Sequence, residues 1–291
     1  MKHLVYLVMM LLSVVLLMNC KKKNADPPKL LINRIDDSTI LNINTTVNLT
    51  SNIPADWSIN KAVGGTINAS NQFTSGTSDG VYFIKAKNKA NANDSVMRLV
   101  IVTKHANLFN LMKSGGYVMS FRHANASTGS DQLNSTTPFW WKSCDPALAR
   151  QITNPIGYAQ SDSTGKSLRV LRLPIDTMMT SEYCRCKQTV EYFNIGMGTT
   201  IPIKEYQQLT YYVYDEANRY NNSMNLYASR PINSKNYISS THAGFSSTPT
   251  PAPMATLNWG DCAVFKLNAG GAAPTYISTI TVDDWMKLAR R

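Results

Sequence analysis

Gly116-Tyr117-Val118-Met119-Ser120-Phe121-Arg122-His123-Ala124 is the stretch on which the fold turns. From Gly116 to Phe121 it holds no charge, the pattern of a strand covered on both faces inside a sheet. It then runs directly into Arg122 and His123. Asn236-Tyr237-Ile238-Ser239-Ser240 has the same character and runs into Thr241-His242-Ala243-Gly244. In an open α/β sheet, residues just past the carboxyl ends of parallel strands line the ligand crevice, so the two histidines can converge. The chain has four histidines; His3 lies in an N-terminal apolar segment, and two of the other three occupy these matching contexts. A lone histidine after a strand is most often a satisfied structural residue, so the pairing carries the weight.

A third segment strengthens it. Residues 175–180 read as another strand, followed by Ser181-Glu182-Tyr183-Cys184-Arg185-Cys186-Lys187-Gln188-Thr189-Val190-Glu191-Tyr192-Phe193. Cys186, Thr189, Val190 and Phe193 fall at i, i+3, i+4 and i+7, which predicts an amphipathic helix with that stripe on a core. Ser181 is expected as its N-cap, and Glu182 suits the positive end of the dipole. Arg185 then lies in the first turns, off the stripe, adding a guanidinium to an anion-attracting helix start.

With these residues on the page, the chain from about residue 109 to 288 resembles the histidine phosphatase superfamily, the phosphoglycerate-mutase-like clan, in its smaller branch. Arg122-His123-Ala124 is similar to the family's Arg-His-Gly signature. Asn154-Pro155-Ile156-Gly157-Tyr158-Ala159-Gln160 resembles the opening of the helix that follows it. The segment 180–189 is similar to the one carrying the second arginine, and Thr241-His242-Ala243-Gly244 to a Gly-His-Gly-Gly segment. Leu257-Asn258-Trp259-Gly260-Asp261-Cys262-Ala263-Val264-Phe265 resembles a Gly-Glu-Ala-Ala-Val-Phe strand. Ala124, Thr241 and Ala243 stand where the family has glycine. The resemblance implies an α/β three-layer sandwich with a mostly parallel sheet, a nucleophilic His123, and phosphate held by Arg122, Arg185 and His242.

The chemistry of the residue types agrees. Phosphoryl transfer depends mainly on positioning and charge stabilisation. Arg122 and Arg185 offer forked donors to phosphate oxygens, and His242 a further clamp. Their positive charge should keep His123 neutral and nucleophilic. No cofactor is expected, and no His/Asp/Glu or cysteine cluster has metal-ligand spacing. The leaving alkoxide needs a proton from a carboxylic acid. Glu205 lies where the family often carries that acid; Asp261 is the second candidate and Asp215-Glu216 the third. For each of these, a solvated surface role is the commoner one.

Apart from Cys20, the cysteines are Cys144, Cys184, Cys186 and Cys262. In an oxidising compartment they allow three pairings, and Cys184 and Cys186 are expected not to pair with each other. Structural roles are expected for all of them. Residues 262–267 and 275–280 read as late strands, and Thr281-Val282-Asp283-Asp284 as a capping box opening a terminal helix that turns Trp285 and Leu288 inward. Two loops could border the site: an insert over residues 125–141, with Trp140 and Trp141, and the Ser/Thr/Pro-rich stretch 245–254.

The N-terminal part reads differently. Residues 4–18 are almost wholly apolar, too short for a mature bilayer span, and fit a signal peptide over 1–19. Leu17-Met18-Asn19-Cys20 resembles a relaxed bacterial lipobox, which implies lipidation at Cys20. Lys21-Lys22-Lys23 and Pro27-Pro28 belong to a solvated tether over 20–29. Residues 30–104 are patterned as β-structure, with runs at 81–86 and 96–103 and Gly-containing turns between. Trp57, Phe73 and Tyr82 are its aromatic core candidates, and the segment resembles a bacterial immunoglobulin-like domain acting as a spacer. The domain with the histidines spans 105–291. A formal charge of +11 with only 16% charged residues fits a surface facing anionic lipid or a phosphorylated substrate, and no nucleic-acid module is visible. The expected partners are a phosphorylated small molecule or envelope glycan and, through the lipid, a membrane of the cell envelope. The competing expectation is a non-catalytic anion-binding or interaction lipoprotein.

Overall fold

The computed structural model describes residues 28–59, 64–243 and 252–289. The expected signal peptide, Cys20, the lysine cluster and most of the Ser/Thr/Pro-rich stretch after His242 lie outside those residues.

Nine short strands form the N-terminal part: β1 (Ile32–Asn33), β2 (Ile40–Leu41), β3 (Thr46–Asn48), β4 (Thr50–Ser51), β5 (Ala55–Ile59), β6 (Thr66–Ile67), β7 (Gln72–Thr74), β8 (Gly80–Asn88) and β9 (Ser95–Val102). They assemble as a four-stranded sheet ordered β2-β9-β8-β5, a three-stranded sheet ordered β3-β7-β6, and the pair β1-β4. Alternation along β8 sends Tyr82, Ile84 and Ala86 into a core shared with Phe73, Val100 and Val102. Phe73 and Tyr82 meet edge to face at 5.5 Å. Trp57 packs only at the margin of that core.

The opposite face of β8 is also covered. Val81 and Ile101 join the core of the following domain, where α1 (Ala106–Met112) begins. Polar contacts reinforce the junction. Lys104 Nζ and His105 Nε2 reach the two carboxylate oxygens of Asp284 at 2.9 and 3.2 Å.

The second domain continues with β10 (Tyr117–Arg122), α2 (Ile156–Leu171), β11 (Ile175–Thr180), α3 (Cys184–Met197), β12 (Ile203–Glu205), α4 (Arg219–Ala228), β13 (Asn236–Thr241), the single turn α5 (Ala252–Ala255), β14 (Cys262–Lys266), β15 (Thr275–Ile280) and α6 (Val282–Ala289). Its mixed sheet is ordered β12-β11-β13-β10-β14-β15. The first four strands are mutually parallel; β14 pairs antiparallel with β10, and β15 antiparallel with β14. Successive residues face opposite sides of a strand, and two apolar cores result. Met119, Phe121, Met178, Ile238 and Val264 turn toward α1, α2, α3 and α6. Val118, Met179, Tyr237, Ala263 and Phe265 turn toward α4 and Met254. The central strands are apolar on both faces because helices cover both.

Helices α2 and α3 touch backbone to backbone. A Cβ on Gly165 would collide with the carbonyl of Phe193, and one on Gly196 with that of Asp162.

Candidate active site

The sheet register places the functional side chains. Arg122 pairs with Thr241, and the next residues continue in step, His123 N–H donating to the Thr241 carbonyl at 3.0 Å. On the other side Thr180 pairs with Ser240, and Ser181 N–H donates to the Ser240 carbonyl. Three adjacent parallel strands thus deliver His123, His242 and the start of α3 to one edge. The imidazoles of His123 and His242 stand 5.2 Å apart, edge to face.

Arg185, buried at 4% exposure, ties this edge together. Its Nε donates to His123 Nε2 at 3.1 Å, and its Nη2 stands 3.3 Å from His242 Nδ1. Its Nη1 pairs with Asp131 Oδ1 at 2.8 Å. His123 Nδ1 lies 2.8 Å from the Ala124 carbonyl. A carbonyl only accepts, so in the neutral ring the proton sits on Nδ1 and Nε2 keeps its lone pair. Since a guanidinium only donates, Arg185 makes Nδ1 of His242 an acceptor and fixes the opposite tautomer, with the Nε2 proton toward Ser181 Oγ at 3.0 Å. Burial, followed by the positive charge of Arg185, pushes both imidazoles well below their ordinary range. Arg122 and Arg150 add to this at His123.

A cavity of about 370 Å³ opens over these groups, and Arg122, His123, Arg185 and His242 all line it. Arg122 Nη1 donates to the Leu257 carbonyl at 2.8 Å, and its guanidinium lies 5.4 Å from the Trp259 ring centre. Among the described residues its buried Nε has no hydrogen-bond partner. Neither Ala124, Thr241 nor Ala243 has a left-handed backbone, so their methyl groups need no glycine-like geometry. Among the described residues, no three His, Cys, Asp or Glu side chains form a group that could hold a metal ion.

The expected proton donors lie elsewhere. Glu205 ends the edge strand β12, 40% exposed, and pairs with Lys187 at 3.4 Å, away from the cavity lining. Its place follows from strand order, since β12 is separated from β10 by two strands. Asp261 is buried, and its two oxygens accept the backbone N–H groups of Val282 and Asn258. Asp215 caps a turn through Asn218, and Glu216 pairs with Arg219. Asp131 is the carboxylate in the cavity wall instead. It is the one acidic residue between 125 and 141, and the contact it makes with Arg185 spans 54 positions.

The helix start also differs from expectation. α3 begins at Cys184 with Tyr183 as the flanking residue, and the Ser181 hydroxyl faces His242 while accepting the Tyr183 N–H at 3.3 Å. Glu182 sits there as a buried junction. Its Oε2 accepts from Trp141 Nε1 at 2.8 Å and from the Tyr214 hydroxyl at 2.7 Å, and its Oε1 pairs with Lys142 at 3.0 Å. Next to it, Cys184 forms a disulfide with Cys144, while Cys186 and Cys262 are free and buried. The insert is therefore fastened to the strand-to-helix junction. Through Ser130, Asp131, Leu133 and Arg150, its polypeptide forms one wall of the cavity. Tyr211 and Trp259 also line it; Trp259 lies in the segment that resembles the family's late strand, whereas the position of Tyr211 carried no signal in the sequence.

No protein-family model matches the sequence, and no curated protein does. Among solved structures, the chain is similar to the protein histidine phosphatase SixA complexed with tungstate, at 15% identity over 58% of this chain and 98% of that one, with a TM-score of 0.41. It is also similar to a phosphoserine phosphatase of Entamoeba histolytica in complex with 3-phosphoglyceric acid, at 8% identity over 58% and 98%, TM-score 0.40. A mycobacterial glucosyl-3-phosphoglycerate phosphatase in complex with VO3 matches at 10% identity over 56% and 97%, TM-score 0.38.

Proposed function

We propose that the protein is a metal-independent phosphatase of the histidine phosphatase type, hydrolysing phosphomonoesters by way of a phosphohistidine on His123. The observation that carries this reading is Arg185, whose guanidinium contacts both imidazoles and Asp131 in the wall of one cavity. A phosphate entering there meets the forked donors of Arg185 and Arg122. In drawing the Arg185 N–H groups onto its oxygens, it frees the His123 Nε2 lone pair to attack phosphorus. The Ala124 carbonyl holds the proton on Nδ1 throughout, so the attacking nitrogen is already neutral. His242, neutral and anchored on Ser181, aligns Arg185 from the far side. Water then displaces the phosphoryl group and restores His123.

The substrate is a phosphorylated small molecule or a phosphorylated envelope glycan. The site is carried on an exported chain, lipid-anchored at Cys20, with residues 30–104 as an immunoglobulin-like spacer. Replacement Cys20→Ser should move the protein from the membrane fraction to the soluble one; an unchanged membrane fraction refutes the anchor.

A second reading, anion binding without turnover, draws on the hydrogen bond by which Arg185 Nε occupies the His123 lone pair. Assay of an aryl phosphate with the parent and with His123→Ala separates the two. Turnover lost in the variant, with a phosphohistidine trapped by rapid quench in the parent, supports catalysis. An inert parent that still binds phosphate supports the second reading.

A further inference from the structure

We infer that this cavity acts on phosphate esters whose leaving group departs without a proton from the protein, namely aryl, enol and acyl phosphates, in preference to alkyl phosphates such as those of sugars. The inference rests on the phosphatase reading above and narrows its substrate.

An alkoxide leaving from phosphorus needs a proton, and the group that gives it must reach the leaving oxygen. Such a group has to line the cavity. Among the described residues, Asp131 is the carboxylate that does so. Its Oδ1 accepts from Arg185 Nη1 at 2.8 Å and from the backbone N–H of Arg150 at 3.0 Å. Both neighbours engage Oδ1 as an acceptor, so this oxygen has no proton to supply. The two imidazoles are no better placed, and the ring hydroxyl in the lining, that of Tyr211, belongs to a residue type far less acidic than a carboxyl. The N–H of His123 is directed at the Ala124 carbonyl, and that of His242 at Ser181 Oγ.

Among the described residues, Glu182, Asp261 and Glu205 are committed outside the cavity. Glu182 accepts from Trp141, Tyr214 and Lys142. Asp261 accepts two backbone N–H groups, and Glu205 pairs with Lys187. Residues 244–251, which follow His242 and Ala243, contain neither Asp nor Glu.

The reaction then balances without an acid. His123 Nε2 forms the N–P bond with its lone pair while the P–O bond to the leaving group breaks. The electron pair departs with that oxygen as a phenolate, enolate or carboxylate, which takes any proton it needs from solvent. In the second half, water attacks phosphorus and the N–P electrons return to Nε2. The proton lost by the water passes to solvent.

The test is the dependence of kcat/KM on leaving-group pKa. Purified protein is given a series of substituted phenyl phosphates of nearly constant shape, together with an alkyl phosphate of similar size. We expect kcat/KM to fall steeply as the phenol becomes less acidic. The alkyl ester should trail the best aryl ester by about 10²–10⁴-fold, the contribution a positioned general acid would otherwise make. A flat series, with the alkyl ester turned over as well as the aryl ones, overturns the inference; loss of only the alkyl activity in Tyr211→Phe would then identify the donor. Phosphohistidine trapped with any substrate upholds the parent reading whichever slope is found. If no ester is turned over and no phosphohistidine forms, both fail.

Discussion

Arg185 distributes its donors over three partners drawn from three separate chain segments, and the state of both histidines follows from it. Burial and this guanidinium disfavour the imidazolium at His123 and His242. The acid limb of kcat/KM should therefore lie well below 6.5, with activity nearly level across that pH; a pH–rate profile checks it, and a limb at 6.5 would contradict the neutral-nucleophile assignment. The stability consequence has a definite sign. As pH falls below about 6.5, unfolded chains bind protons on these histidines that the folded protein does not, so stability declines with acidification. Asp284 acts in the same direction. Burial opposes its charge, but hydrogen bonds from His105, Lys104 and Thr281 outweigh this and hold its carboxyl below the usual range. Its contribution is present above the ordinary carboxylate pKa and is lost as pH falls through the folded value. Urea midpoints should hold level from pH 8 to about 7 and decline from there toward pH 4.

Among the elements, the insert between β10 and α2 matters most, since it supplies Asp131 and Arg150 and is held by Cys144–Cys184 and the Glu182 junction. The bond closes a loop with a sequence separation of 40. Its loss in Cys144→Ser should cost about 2–4 kcal/mol of stability, visible as a lower Tm, and KM should rise because the Asp131 wall loosens. An unchanged Tm and KM would show the other contacts to be sufficient. Strands β10 and β13 were legible in the sequence because each is an uncharged run leading into an arginine or a histidine, and the α3 stripe because its apolar spacing is local. What could not be read depended on distant partners. Ser181 has the composition of a cap, yet its hydroxyl serves His242, 61 positions away. Glu205 could be rejected as an acid only once strand order was known. Asp131 sits in a stretch without periodicity, so nothing nearby announced that it faces Arg185.

For the molecule as a whole, the junction between the two domains is a distinct structural unit. Val81 and Ile101 from the β-rich part share a core with Phe109 and Trp285, and Asp284 receives Lys104 and His105 beside them. Removing that charge by Asp284→Asn should destabilise the full chain, since His105 and Lys104 lose a buried partner. It should leave kcat on an aryl phosphate unchanged, because none of these residues lines the cavity. A fall in kcat without a fall in Tm would instead reveal coupling between junction and site. The Cys144–Cys184 bond has a consequence on this scale too. Hydrogen bonds alone bring His123, His242 and Arg185 into register, but the wall opposite them is covalently closed only when thiols are oxidised. Chains kept among reductants would assemble the nucleophile and still lack a firm enclosure for substrate, so the redox poise of a compartment decides where the cavity is finished.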